Sequence, residues 1–347
     1  MRPARRSFCV LGYLLTLCVV THTAKAEFAG SGTTATGDPD SGDSAPGVLN
    51  TEGYSETVCN EPRSGGCQGN CCQSNCFDQR RFLGLLPSDH AFDSFISPLS
   101  NPFFFEDPRS LTEARTIFLY NRLPNSVGPG GVVVWAEQIR GRLTERLSLI
   151  APRLGDMNIQ TPGNSSGFMS APVGFKYNLV RDVEAQFLVS AGMTYFIEGS
   201  NRVYQGYDDG DFHLFLSGGK RWGNAHWISG SGFRLPSNHN YGNQMWYWSN
   251  QWDYQLPGNI HPLIGLNWFH FMRSSSQQFN GAPSISGLDL VNLPFGAVAG
   301  TNVVTCPIGV RWKPTRNLEI GGGWEFPVTN RQDILGNRTY ADVIFRY

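Results

Sequence analysis

Five cysteines, Cys59, Cys67, Cys71, Cys72 and Cys76, crowd into one short stretch and are the densest set of reactive side chains in the chain. In an exported protein such a cluster first suggests disulfides, which staple a segment with no core of its own. Several thiolates can also converge on zinc or an iron–sulfur centre. No Cys-x-x-Cys pair and no Cys-x-x-Cys-His haem motif occurs. The odd count leaves a free thiol or a bridge to another chain. Elsewhere, His213 and His226 share one side of an alternating pattern with Asp211 and Arg234, a set that could move protons. Ser237-Asn238-His239-Asn240 sets a hydroxyl near an imidazole. The plainer reading is a polar inner face and a loop. Without a Gly-rich phosphate loop or a paired His-Glu motif, no catalytic residue, metal ligand or cofactor is assigned, and the chain is read as a non-enzyme.

The elements that carry these residues alternate in period two, the mark of strands with two unlike faces. Between Val183 and Ile197 the odd positions are nearly all apolar and the even ones mostly small or polar. Leu318, Ile320, Trp324, Phe326 and Val328 alternate with Glu319, Gly321, Gly323 and Glu325 in the same way. About twelve such strands are predicted, starting near Arg115, Gly131, Glu145, Phe168, Val183, Asp211, Gly223, Met245, Asn259, Ala299, Arg316 and Asn337. The first, second and ninth alternate poorly. Tight polar connections (Arg142 to Glu145, Arg181-Asp182, Lys220 to Asn224, Pro257 to Asn259, Lys313 to Asn317) follow the even-numbered strands. Longer ones (Leu154 to Gly167, Glu198 to Gly210, Pro236 to Asn243, Arg273 to Pro294) mostly follow the odd-numbered strands. Short turns on one rim and long loops on the other are how a transmembrane antiparallel barrel is built.

The all-β, up-and-down barrel is therefore expected over residues 114–347. One face of each strand meets lipid. The other lines the lumen, with Lys176, Glu184, Gln186, Asp211, His213 and His226 in its first half. Arg234, Gln251, Asp253, Glu319, Glu325, Asp342 and Arg346 complete the predicted pore lining. Both signs are present, so any pore should be only weakly charge-selective. Cys306 shares the lipid-facing parity of Val304, Ile308, Val310 and Trp312, which argues against a bond to the N-terminal cluster. Trp222, Trp227, Trp246, Trp312 and Phe345 near strand ends suit interfacial girdles.

Upstream, Arg2, Arg5 and Arg6 precede an apolar run from Phe8 to Val20 and the small-residue site Ala24-Lys25-Ala26, the layout of a signal peptide over residues 1–26. Cys18 faintly resembles a lipoprotein box, against which the bulky Leu17 argues. Residues 27–58 are mostly Gly, Ser, Thr, Asp and Pro and read as a disordered linker. Residues 59–113 form a Cys-rich segment, a plug or a periplasmic cap. Charged residues make up only 16% against about 25% in an ordinary soluble domain, and the net charge of −1 offers nucleic acid no attraction.

Ala341, Val343, Phe345 and Tyr347, spaced by two from an aromatic C-terminus, resemble the assembly signal of Gram-negative outer-membrane barrels. The run Pro98 to Arg109 resembles the lead-in of predicted barrel proteins from planctomycete-type bacteria. The resemblance implies a place in the outer membrane and contact with its lipid. It also implies assembly by barrel-insertion machinery through Val343, Phe345 and Tyr347, and porin-like passage of small solutes, with oligomers open. A non-conducting structural or partner-binding barrel is the alternative, and a soluble secreted β-protein a more distant one. Outer-membrane phospholipases carry a His-x-Ser-Asn order on one strand, which is absent here.

Overall fold

The structure, a computed structural model, describes residues 82–161, 164–197, 199–200, 202–203, 205, 210–277 and 284–347. The signal peptide, linker and cysteine cluster expected from the sequence lie outside the described residues, and no helix among the described residues is long and apolar enough to cross a membrane.

Thirteen strands follow one another: β1 (Glu113–Arg122), β2 (Gly131–Arg142), β3 (Leu147–Gln160), β4 (Ser165–Phe168), β5 (Ala171–Asp182), β6 (Phe187–Ile197) and β7 (Asp211–Trp222). Then come β8 (Ala225–Pro236), β9 (Gln244–Tyr254), β10 (Ile260–Arg273), β11 (Asn302–Trp312), β12 (Leu318–Pro327) and β13 (Asn337–Arg346). Strands β4 and β5 pair with successive parts of β3 and act as one interrupted strand. All pairings are antiparallel, and β13 meets β1 from Glu113↔Arg346 to Arg122↔Asn337. The sheet is thus a closed barrel of twelve staves with no free edge, the one way a sheet satisfies its backbone in lipid.

Each predicted strand start lies within four residues of an observed one, the largest offset being Val183 against Phe187. One predicted loop is corrected: most of Leu154 to Gly167 is strand, since β3 runs on to Gln160 beside Gly131 of β2. Its polar Asp156, Asn158 and Gln160 obscured that extension.

The outer surface is apolar. Phe212, Leu214 and Leu216 of β7 stand 40–51% exposed, while Asp211, His213, Phe215 and Ser217 between them point inward and are buried. Phe175, Trp252, Ile264, Val310, Trp312 and Trp324 repeat the arrangement around the barrel. A soluble sandwich would bury these side chains and expose the charged ones, so the protein is a membrane-spanning barrel. Glu137 is an outward acid on β2, and Thr116 of β1 donates a hydrogen bond to it at 2.8 Å. Cys306 is half-buried on the outward parity of β11.

The three poorly alternating strands have a common cause. Ile117 and Leu119 of β1, Val132, Val134 and Ala136 of β2, and Leu263, Phe269 and Phe271 of β10 point inward yet are apolar. They pack against chain that occupies the lumen, so both faces of these strands are hydrophobic and the period disappears.

Tyr347 joins the barrel to that lumenal chain. Its backbone N–H donates to Thr112 O at 2.9 Å, its carbonyl accepts from Ser88 N at 2.6 Å, and its ring lies 5.6 Å from that of Phe82. Deleting Tyr347 is expected to lower severalfold the fraction of chain that reaches the heat-modifiable, folded form. An unchanged folded fraction would show that the terminal residue is dispensable for assembly.

Candidate functional site

Residues 86–112 enter at the short-turn rim, rise into the lumen and return to the same rim. Leu86 N–H donates to Arg142 O, and Ser88 and Thr112 exchange hydrogen bonds of 3.0 Å where the two ends meet. The tip is a turn at Asn101, whose left-handed φ of 47° suits asparagine better than a branched residue, and Phe104 and Phe105 N–H both donate to its carbonyl. Phe92, Phe95, Ile96, Leu99, Phe103, Phe104 and Phe105 are almost wholly buried. This segment is a plug, and its lack of either period follows from its contacts with nearly every wall strand.

The wall receives the plug in two ways. On the β7–β8 and β11–β12 sides, glycines leave sockets. A Cβ at Gly230 would stand 2.7 Å from the Phe105 ring, one at Gly219 would stand 3.1 Å from Phe95, and ones at Gly309 and Gly323 would stand 2.5 and 2.6 Å from Leu99. Beside the β11–β12 sockets, and across the seam to β2 and β5, the contacts are ionic. Glu106 of the plug lies 2.6 Å from Arg140 and 3.0 Å from Lys176, and Arg140 also reaches Glu113 at 2.6 Å. The series continues from Glu113 to Arg346 at 2.8 Å, to Glu319 at 2.7 Å and to Arg311 at 3.2 Å. Arg311 reaches Asp342 at 2.8 Å, which also holds Arg115. Nine charges alternate in sign along this belt, all with side chains at most 4% exposed. It crosses the β13–β1 seam where the barrel closes.

A second insert closes the long-loop rim. In the connection between β10 and β11, Leu288, Leu290, Val291 and Leu293 are buried. Arg153 donates to Leu290 O at 2.6 Å, Arg234 to Val291 O at 2.8 Å, and Arg338 pairs with Asp289 at 2.9 Å. Arg153 and Arg234 also stack over Phe103 and Phe104 of the plug tip, at 5.2 and 5.5 Å. Two inserts from opposite rims therefore meet across a layer of guanidinium groups.

Of the predicted lining, twelve residues take part in this packed interior. Lys176, Glu319, Asp342 and Arg346 belong to the belt, and Asp211 pairs with Arg234 at 2.7 Å. His213 Nε2 lies 2.9 Å from Tyr247 Oη, which itself donates to Phe104 O. Gln251 accepts from Leu99 N–H at 2.8 Å, and Glu325 accepts from Asn267 at 2.8 Å. His226 and Asp253 lie together below Phe95. Gln186 reaches Ala91 O at 3.0 Å from the turn rim. Glu184 is the correction: the strand begins at Phe187, so Glu184 stands exposed in the turn before it. Val343 and Phe345 face outward, as Arg346 and Asp342 face in. His239 is exposed, with its ring 3.3 Å from Gln244 Nε2 and its backbone carbonyl accepting from Ser276 N–H at 3.2 Å. Sequence reasoning missed Arg140, Arg311, Arg115 and Glu113, although their parity on β1, β2 and β11 matches that of the lining residues it found.

At the turn rim, Lys313 donates to Asp93 O and, at 3.2 Å, to Phe95 O, fastening the plug's first leg. Burial, and then the Arg346 guanidinium, push its ammonium down to about 8.

No family model and no curated protein matches the chain. Among solved structures, it is similar to the NanC porin (8% identity, TM-score 0.44, 67% of this chain and 99% of that one) and to the KdgM porin (11%, 0.41, 67% and 99%). It is also similar to the β domain of the Bordetella autotransporter BrkA (13%, 0.42, 68% and 98%). Likeness at this level carries no information on what a lumen passes.

Two measurements test the site. Glu113→Ala takes one of two carboxylates from both Arg140, which keeps Glu106, and Arg346, which keeps Glu319; leaving a buried charge with no partner costs about 3–5 kcal/mol, so a loss of about 2–3 kcal/mol is expected. Urea unfolding in vesicles should show that loss, whereas His90→Ala at the part-exposed His90–Asp93 pair should cost about 1 kcal/mol or less. Lys313 carries a depressed pKa, so its charged form is disfavoured in the folded state. That cost is present below about 8 and is relieved as pH rises toward the ordinary lysine value. The difference in thermal stability between the unaltered protein and Lys313→Met should therefore shift in favour of the unaltered protein from pH 7.5 to 9.5, and a flat difference would refute the assignment.

Proposed function

We propose that the protein is a porin-like channel of the bacterial outer membrane whose lumen is held shut by its own plug and loop, and which passes small solutes when the plug withdraws. One observation carries this reading. The wall behind the plug is built of groups that water can serve as well as the plug does: Asn178, Ser190, Ser249, Gln251 and Asn267 each bond a plug atom. A barrel whose only need was a permanent core would be filled with apolar side chains from its own strands. The plug also enters and leaves at one rim, so it can retract without unthreading.

By the rule that short turns are periplasmic, the turn rim faces the periplasm. That placement makes the chain an exported one, with residues 1–26 as its signal peptide and disulfides among Cys59, Cys67, Cys71, Cys72 and Cys76 in the oxidising compartment. Val343, Phe345 and Tyr347 supply the assembly signal, and outer-membrane lipid surrounds the apolar band. The likeness of Pro98 to Arg109 to planctomycete-type lead-ins rests on that segment alone. The filled lumen is equally the specific observation in favour of a non-conducting structural or partner-binding barrel.

Planar-bilayer recording separates the two. The full chain should be nearly silent. Gly230→Leu, whose Cβ alone would stand 2.7 Å from the Phe105 ring, should open discrete conductance steps, as should removal of residues 27–110. If both proteins fold, as judged by heat-modifiable migration, and both stay silent, the channel reading is wrong and the structural barrel stands.

A further inference from the structure

We propose that His226, Asp253 and His261 form a binding site for one divalent transition-metal ion of the zinc class. They lie on the adjacent strands β8, β9 and β10, all facing inward near the turn rim. His226 Nδ1 and His261 Nδ1 stand 2.8 and 2.9 Å from the same oxygen, Asp253 Oδ1. The potential ligand atoms of the three residues lie within 4.8 Å of one another, and all three side chains are buried.

Charge sets this cluster apart. Each of the other buried carboxylates among the described residues has an Arg or Lys nitrogen within 3.8 Å. Asp253 has only two imidazoles, and its Oδ2 has no hydrogen-bond partner. His226 Nε2 is likewise buried and without a partner. A carboxylate removed from water needs a cation, and two imidazoles with one carboxylate are the donor set that suits zinc and its first-row neighbours rather than magnesium or calcium. Tetrahedral bonds of about 2.0–2.2 Å place adjacent donors roughly 3.3–3.6 Å apart, so the two imidazole–carboxylate contacts need to open by roughly half an ångström. His261 also lines a cavity of about 250 Å³ at the rim, with Asp93, Gln255 and Lys313 in its wall. That cavity gives an ion its entry and a water the fourth position. The ring of Phe95 lies 5.3 Å from that of His226, so a bound ion would sit directly under the plug. The site stands whether or not the lumen conducts.

The test uses the full folded chain in detergent, with cysteines blocked by N-ethylmaleimide so that thiolates bind nothing. Co²⁺ should bind at one equivalent with the visible bands of a nitrogen- and oxygen-ligated ion, and Zn²⁺ should displace it. His261→Ala and Asp253→Asn should each weaken binding at least ~100-fold, while His239→Ala and His270→Ala leave it unchanged. Should the ligand variants fail to fold, X-ray absorption of zinc on the unaltered chain decides alone. Two imidazoles and a carboxylate oxygen around the ion support the site; one imidazole, none, or no saturable binding overturns it.

Discussion

The belt of alternating charges from Lys176 through Glu106 to Arg115 is the interaction on which the closed barrel rests. A lumen filled by protein makes every unpaired charge costly, and five of these nine groups are cationic. The wall contributes only three of the four acids, Glu113, Glu319 and Asp342. Glu106 comes from the plug and serves both Arg140 and Lys176. Plug and wall therefore depend on each other while the plug is seated. Once water enters, it can serve Arg140 and Lys176 in place of Glu106. The same charges are thus compatible with two states, whereas an apolar filling would favour one.

The belt also accounts for the closing seam. β1 and β13 are joined by backbone bonds from Glu113↔Arg346 to Arg122↔Asn337, but β1 offers little alternation by which to specify register. Arg346 between Glu113 and Glu319, and Asp342 between Arg115 and Arg311, supply that register from inside. A slip of one residue would turn those charges toward lipid and leave their partners unpaired.

Much of this was legible in the sequence because a barrel strand is a local pattern. The strand starts, the two kinds of rim and the inward parity of Asp342 and Arg346 all follow from period two. A plug was one of two expectations for residues 59–113, but its path was not legible, because its residues answer partners far away in the chain: Ser97 bonds Glu319, and Leu99 bonds Gln251. Glu184 was misplaced because a tight turn continues the apparent alternation of the strand after it. His261 was overlooked on a strand whose period the lumenal filling erases. The missing signal was distance from the turn: Asp253 and His261 flank one short turn, and His226 follows the next one round the barrel. Parity combined with that distance would have gathered all three.

Two kinds of contact, side by side on β11 and β12, hold the plug by different physics, and that difference would decide which of them controls the proposed release. Along the belt, water can replace Glu106 at Lys176 and Arg140, so the net loss on withdrawal is small compared with the gross strength of the ion pairs. In the sockets, Phe105 against Gly230, Phe95 against Gly219 and Leu99 between Gly309 and Gly323 give up apolar contact for which water offers no substitute. Were the plug to withdraw as proposed, the aromatic rings in their glycine sockets would set the threshold, and the charges would set where it returns. The cluster under Phe95 lies at the foot of the same ring. A group that changed the charge or spacing there would act on the socket contacts that the proposed release has to break.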